Sequence, residues 1–222
     1  MDDSTARDEI CRVARSLFDR GYVHATAGNI SVRLDDGSFL ITPTDACLGF
    51  LAPESLARVG ADGTQWSGER ASKTLQLHRR IYEATAAAGQ AAGCVIHSHS
   101  TYCVALTLQA TGPGDLLPPI TPYFVMKVGH VPVIPYHRPG DARAGDLVAQ
   151  EIASHAARGA PLRAVMLSRL GPNVWHDTPA QAMAVLEELE ETAKLWMISN
   201  PKPRALDSVA LEELAKVFGA RW

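Results

Sequence analysis

The stretch that decides the fold is CVIHSHS, residues 94–100, a short apolar run that ends in two histidines. Its first three residues are predicted to form a buried strand, because a brief apolar run is typical of one. Residues two apart on an extended backbone project to the same face, so His97 and His99 can hold one ion together. Zinc or a similar divalent metal suits this pair. Two ordinary histidines at a strand end are the alternative.

The segments on either side of this strand alternate between helical and extended patterns. Asp35-Asp36-Gly37 separates two strand-like runs at 30–33 and 39–42, which predicts a β-hairpin. Strands are also predicted at 131–134, 164–167 and 173–175, and a Pro- and Gly-rich loop at 111–122. Helices are predicted before Gly21 and at 72–88, 101–108, 146–157, 179–198 and 208–218. This order predicts an α/β layered domain with a mixed sheet.

The bulk composition limits the classes of function. With 222 residues and 46% hydrophobic residues, the chain is expected to form one domain over residues 1–222. A net charge of −3 without basic clusters predicts neither a nucleic-acid partner nor a membrane surface. The four cysteines form no CxxC pair and follow no secretory leader, which favours reduced thiols in a cytoplasmic protein. Small-molecule chemistry is the expectation.

Two further segments carry groups that suit an anion. Gly28 permits close backbone approach, while Thr26, Asn29 and Thr44 supply donors of the kind that bind phosphate. A plain Gly-Asn turn is the alternative there. Ser72 and Lys73 lie at the start of a predicted helix, where free backbone N–H groups and the helix dipole favour negative charge. An N-cap beside a solvated lysine is the alternative for that pair.

An ordered set of motifs along nearly the whole chain resembles the class II aldolase/adducin family. Certain segments, among them ITPTDACLG (41–49) and PYHRPGD (135–141), are most similar to its 3-oxo-tetronate 4-phosphate decarboxylase branch. The motifs are TAGNISVR (26–33), FLITPT (39–44), SKTLQLHRRIY (72–82), CVIHSHS (94–100), ITPYFVMKVG (120–129), VPVIPYHRPGD (131–141) and LEELEETAKL (186–195).

The resemblance implies a three-layer α/β/α sandwich around a mixed, largely antiparallel sheet. It also implies a homotetramer with active sites at subunit interfaces, a zinc ion at His97 and His99, and a proton-donating tyrosine from the neighbouring subunit, here Tyr123. The phosphate-binding positions of the family fall on Thr26, Gly28, Asn29, Thr44, Ser72 and Lys73.

Two positions depart from the family pattern. Thr74 replaces the catalytic glutamate, and Leu170 replaces the third metal-binding histidine. Catalytic zinc sites typically use three protein ligands, so another residue is expected to complete the site. His137, in the PYHRPGD loop, is the preferred candidate and His176 the second. The remaining histidines, His24, His78, His130 and His155, are predicted to be structural or solvated.

The missing glutamate bears on the reaction. Decarboxylation of a 3-oxo acid needs an electron sink and a later proton, but no base to remove a substrate proton. The resemblance and Thr74 together predict decarboxylation of a four-carbon 3-oxo sugar acid phosphate to dihydroxyacetone phosphate and CO2. A retro-aldol enzyme, in which Lys73 or water replaces the carboxylate as catalytic group, is one alternative. A non-catalytic, adducin-like binding protein is the other.

Overall fold

The computed structural model describes residues 1–109 and 114–222, and its strands form one central sheet. In the order β4-β3-β2-β1-β5-β8-β7-β6, neighbouring strands run antiparallel except β6 and β7, which are parallel. The strands are β1 (Asn29–Arg33), β2 (Phe39–Ile41), β3 (Ala57–Val59), β4 (Gln65–Ser67), β5 (Cys94–His97), β6 (Val133–Ile134), β7 (Ala164–Leu167) and β8 (Gly171–His176).

Helices cover both faces of this sheet. They are α1 (Asp3–Asp19), α2 (Leu75–Ala87), α3 (Thr101–Leu108), α4 (Pro122–Lys127), α5 (Ala142–Ala157), α6 (Pro179–Ile198) and α7 (Ser208–Phe218), with 3-10 turns at Leu48–Phe50 and Pro53–Ser55. Apolar side chains of α1, α3 and α6 share one core with one face of the sheet, and those of α2 and α5 share a second core with the other face. The predicted three-layer sandwich with a mixed, largely antiparallel sheet is confirmed.

Strand β5 shows why this layering places the histidines where it does. Cys94 and Ile96 are buried in the core beneath α1, α3 and α6, whereas Val95 is buried in the core beneath α2 and α5. Side chains alternate along a strand, so His97 lies on the same face as Val95. The histidine pair therefore lies at the end of β5, on the side of the sheet that α2 and α5 cover.

Most predicted elements are confirmed, and the differences have local causes. Helix α5 begins at Ala142, four residues before its predicted start, because Asp141 accepts a hydrogen bond from the Arg143 N–H and caps it. Strands β3 and β4 and helix α4 are not in the prediction. The first part of the predicted 111–122 loop lies outside the described residues. None of the described helices has the length and apolarity that crossing a bilayer requires.

Candidate active site

A cavity of about 540 Å³ opens where β1 begins and where β2 and β5 end, beside the start of α2. The segment from Pro135 to Asp146 forms its opposite wall. All but one of the predicted site residues line it, namely Thr26, Gly28, Asn29, Thr44, Ser72, Lys73, His97, His99 and His137. The structure thus brings together residues from five separate segments of the sequence, as a common binding site requires.

His97 is fixed at the floor of this cavity by its neighbours on both sides. It is the last residue of β5 and is only 7% exposed. Its Nδ1 lies 3.0 Å from the carbonyl oxygen of Pro172, which can only accept, so Nδ1 carries the proton and Nε2 keeps its lone pair. Burial, followed by the charge of His99, lowers the pKa of His97 to about 4. The imidazole is therefore neutral, which is the form that binds a metal.

His99 lies beside His97 and is half-buried. The two ring centroids are 5.1 Å apart and the planes meet at 66°. Burial, followed by the charge of His24, lowers the pKa of His99 as well. His24, which the sequence analysis treats as structural or solvated, lies edge-on to His99 with ring centroids 6.4 Å apart. Its proximity arises from the fold and has no signal in the local sequence.

The place of the family's third histidine is taken by an apolar wall. Leu170 lines the cavity directly before Gly171. Gly171 has φ +134°, and a Cβ there would lie 1.9 Å from the Ser98 carbonyl oxygen. Only glycine therefore allows the backbone at residue 171 to pack this closely against the end of β5. His137 lines the same cavity, with its Nδ1 2.8 Å from the Pro135 carbonyl oxygen. His137 therefore shares the cavity with His97 and His99, but the three rings do not form a close group of metal ligands among the described residues.

His176 is ruled out as a ligand of this site. It pairs with Cys94 across β5 and β8, whereas His97 pairs with Asn173, three residues earlier on β8. It lines a separate groove with Trp175 and Arg163. A strand rises about 3.3 Å per residue, so the other end of β5 is too far away for shared ligation.

The surroundings of His97 contain buried polar atoms that lack a partner. Asn29 and Asn173 are its register neighbours on β1 and β8. Within the described residues, Oδ1 of Asn29 and both amide atoms of Asn173 are buried without a hydrogen bond. Buried polar groups are normally paired, and of these two residues Asn29 also lines the cavity, where its oxygen is available to a bound ligand. Together with the neutral His97 and His99, this oxygen fits a divalent metal with its accompanying ligands.

The turn beside His97 and the start of α2 provide groups that are suited to an anion. Gly28 has φ +86°, and a Cβ there would come within 2.9 Å of the His97 carbonyl oxygen, so the turn of residues 26–29 requires glycine. Lys73 is exposed just before α2. Among the described residues, no carboxylate lies within ion-pair distance of Lys73 or of Arg138, the cation on the facing wall. Both cations are free to bind an anionic substrate.

Thr74 occupies the position of the family's glutamate and also lines the cavity. Its side chain makes no helix-capping bond to α2. Its hydroxyl instead lies 2.8 Å from Oγ of Ser72. A threonine hydroxyl stays protonated at neutral pH and is a poor base, so this position offers a hydrogen bond and not a proton acceptor.

Tyr123 is the predicted site residue that does not line the cavity. It lies on α4 with 62% of its surface exposed. Its predicted role is on the active site of a neighbouring subunit, and within one chain it is accessible for such a contact. His78, in contrast, is fully buried and bonds to Ser31 Oγ at 2.8 Å, and burial lowers its pKa to about 3. It is structural, as predicted.

His130 and His155 come together outside this cavity. With Asp115 they form the one group of three close metal-ligating side chains that the described residues contain. None of the three lines the cavity. The sequence analysis treats both histidines as structural or solvated, and their proximity depends on contacts between distant segments.

Comparison with known proteins decides the family. The sequence model described as Class II Aldolase and Adducin N-terminal domain matches residues 8–197. The chain belongs to the class II aldolase/adducin family. A protein of Cupriavidus necator named 3-oxo-tetronate 4-phosphate decarboxylase is 53% identical over 99% of both chains. An Escherichia coli protein of the same name is 41% identical over 96% of both chains.

The solved structures agree with this class II aldolase fold. The crystal structure of YgbL from Escherichia coli, a putative aldolase/epimerase/decarboxylase, superposes with a TM-score of 0.84 at 39% identity, covering 96% of this chain and 98% of the other. The predicted family and its decarboxylase branch are confirmed, and the chain is a carbon–carbon lyase by this relationship. Class II aldolases depend on divalent metals.

Proposed function

We propose that this class II aldolase homologue decarboxylates a 3-oxo-tetronate 4-phosphate to dihydroxyacetone phosphate and CO2. The observation that carries the proposal is Thr74, a hydroxyl bonded to Ser72 where an aldolase would use a carboxylate. Two full-length relatives named for this reaction support the same choice. A cavity of about 540 Å³ is of the size that small-molecule sites usually have.

Two cations of the cavity suit a substrate that is anionic at both ends. Thr26, Asn29, Thr44 and Ser72 supply hydrogen-bond donors for the phosphate, and Lys73 supplies its countercharge. We assign Arg138, on the facing wall, to the substrate carboxylate. Neither cation has a competing carboxylate partner among the described residues, so binding breaks no ion pair.

The reaction breaks the bond between the carboxylate carbon and its neighbour. The electron pair of this bond moves toward the 3-oxo group and CO2 departs. One proton then adds to the carbon that carried the carboxylate. His97 and His99 would hold the divalent metal, with His137 as third ligand, and the metal when bound polarises the carbonyl oxygen. Tyr123 of the neighbouring subunit would donate this proton from its hydroxyl. The balance requires no oxidant and no base.

Several finer assignments belong to the same proposal. We assign zinc as the metal because two or three imidazoles suit it well. A homotetramer would bring Tyr123 to the neighbouring cavity. A location in the cytoplasm suits the four free cysteines. The natural partner is then a small phosphorylated sugar acid, and neither nucleic acid nor membrane is expected.

The experiment is a product assay with the purified, metal-loaded protein. Enzymatically prepared 3-oxo-tetronate 4-phosphate should yield dihydroxyacetone phosphate and CO2 in equal amounts. Sugar 1-phosphates that aldolases cleave should yield no aldehyde. Aldehyde release without CO2 would support the retro-aldol alternative. Binding of the acid without any product would support the non-catalytic alternative.

A further inference from the structure

A second cluster of metal-ligating side chains lies away from the catalytic cavity. We propose that Asp115, His130 and His155 form a second site for a divalent transition metal such as zinc. One ligand atom from each lies within 4.8 Å of the other two. Ligands around a tetrahedral zinc lie roughly 3.3 Å apart, so small side-chain movements close the site. None of the three residues lines the catalytic cavity.

Each of these side chains is already oriented by a group outside the cluster. Oδ1 of Asp115 accepts the Val131 N–H at 3.0 Å, and Oδ2 is hydrogen-bonded to His130 Nδ1 at 2.6 Å, a bond that a bound ion would replace. Nδ1 of His155 lies 3.0 Å from the Glu151 carbonyl oxygen, so this nitrogen carries the proton and Nε2 keeps the lone pair. Such outer hydrogen bonds are typical of metal-binding histidines and carboxylates.

Aromatic stacking fixes the third ligand. The ring of His130 stacks on Trp222, the last residue of the chain, with centroids 4.4 Å apart and planes 25° apart. Trp222 in turn contacts Phe124 of α4. His130 and His155 have ring centroids 5.5 Å apart. The position of His130 is thus set from both sides before any ion binds.

The cluster combines a protected ligand with an open approach. His155 is buried near the end of α5, whereas the side chains of Asp115 and His130 are 28% and 21% exposed. An ion can therefore enter from solvent, as a metal site requires. Two imidazoles and one carboxylate suit zinc, cobalt or nickel and leave at least one position for water. The site would join α5, the segment after α4 and the C-terminus.

Metal content measures the site directly. Apo protein reloaded with Zn²⁺ and freed of excess metal should contain one equivalent fewer in His130→Gln and in Asp115→Asn than in wild type. His176→Gln, a half-buried histidine outside both clusters, is the matched control and should keep the wild-type content. Equal zinc in wild type and both cluster variants would overturn the proposal.

The loss of one zinc equivalent in His130→Gln should not depend on whether His97 and His99 bind a metal. A His97→Ala/His99→Ala protein should still lose one equivalent when His130→Gln is added. If the cavity binds no metal at all, wild type should contain one equivalent and His130→Gln none. The proposed function would then fail while the second site stands.

Trp222 gives a second readout that needs no activity. Ni²⁺ at His130 should quench the fluorescence of the stacked indole. The quenched fraction should disappear in Trp222→Phe, although Trp66, Trp175 and Trp196 remain, and also in His130→Gln. Quenching that is unchanged in His130→Gln would place the ion elsewhere and contradict the proposal.

Discussion

The two ends of the catalytic cavity differ in how closely they follow the family. The anion-binding end keeps every residue expected from the motifs, including Gly28, Ser72 and Lys73. The metal-binding end keeps His97 and His99 but has Leu170 where a third histidine would lie. The first end combines three segments that each keep their motif, whereas the second has lost one of the residues that the motifs predict. Phosphate recognition therefore follows more directly from this chain than the metal environment does.

Loss of His97 should have the largest effect. His97→Ala removes a ligand fixed by the Pro172 carbonyl and should lower kcat/KM about 10³-fold, because a metal contributes several kcal/mol to the transition state. Steady-state kinetics and zinc content of the cavity check this. His176→Gln should retain wild-type kinetics. Full activity in His97→Ala would place the chemistry elsewhere.

Tyr123→Phe should have the second-largest effect on activity, a loss of about 10²-fold in kcat, as expected for removal of a general acid. KM should change little, because Tyr123 lies outside the cavity of its own chain. Mixed oligomers of Tyr123→Phe and His97→Ala chains should recover part of the activity, since one wild-type tyrosine would meet one intact histidine pair. Absence of recovery would argue against a role across the subunit interface.

Lys73→Met tests the anion-binding end. Loss of one charge-assisted hydrogen bond should lower kcat/KM by about 10- to 100-fold, mainly through KM. Lys194→Met, which removes a partly exposed lysine on α6 that pairs with Glu191 outside the cavity, serves as the control. An unchanged KM for the phosphorylated substrate in Lys73→Met would mean that the phosphate binds elsewhere.

Leu170→His should have the smallest effect on turnover. It tests most directly how the metal-binding part of the cavity differs from that of the family. Restoring the family's histidine should tighten zinc binding at the cavity by about tenfold or more, as expected for a third protein ligand. A zinc titration monitored with a competing chelator measures the change. Unaltered affinity would indicate that His137 already completes the site or that Leu170 is turned away.

The sequence predicts much of the fold because its strongest patterns are local. The hairpin turn at Gly37, the apolar run of β5 and the long periodicity of α6 are each confirmed. Strands β3 and β4 are three residues each, which is too short for an alternating pattern to predict them, and β4 is fully exposed. Helix α4 is also short, although Thr121 before Pro122 is a recognisable start signal.

The candidate site also combines features that local patterns predict with contacts that only the folded chain creates. Local motifs predict the residues that line the cavity, since each motif carries its own chemistry. The hydrogen bond from His97 to Pro172 and the unpaired Asn173 depend on the register between β5 and β8. The approach of His24 to His99, and of His155 to His130, joins segments that are far apart in sequence. Such contacts require the folded chain.

The most direct test of the central claim is the stoichiometry of CO2 and dihydroxyacetone phosphate released from 3-oxo-tetronate 4-phosphate by the zinc-loaded protein. The account predicts one of each per substrate consumed, with both products lost together in His97→Ala. Release of an aldehyde without CO2, or turnover that survives the loss of His97, would contradict it.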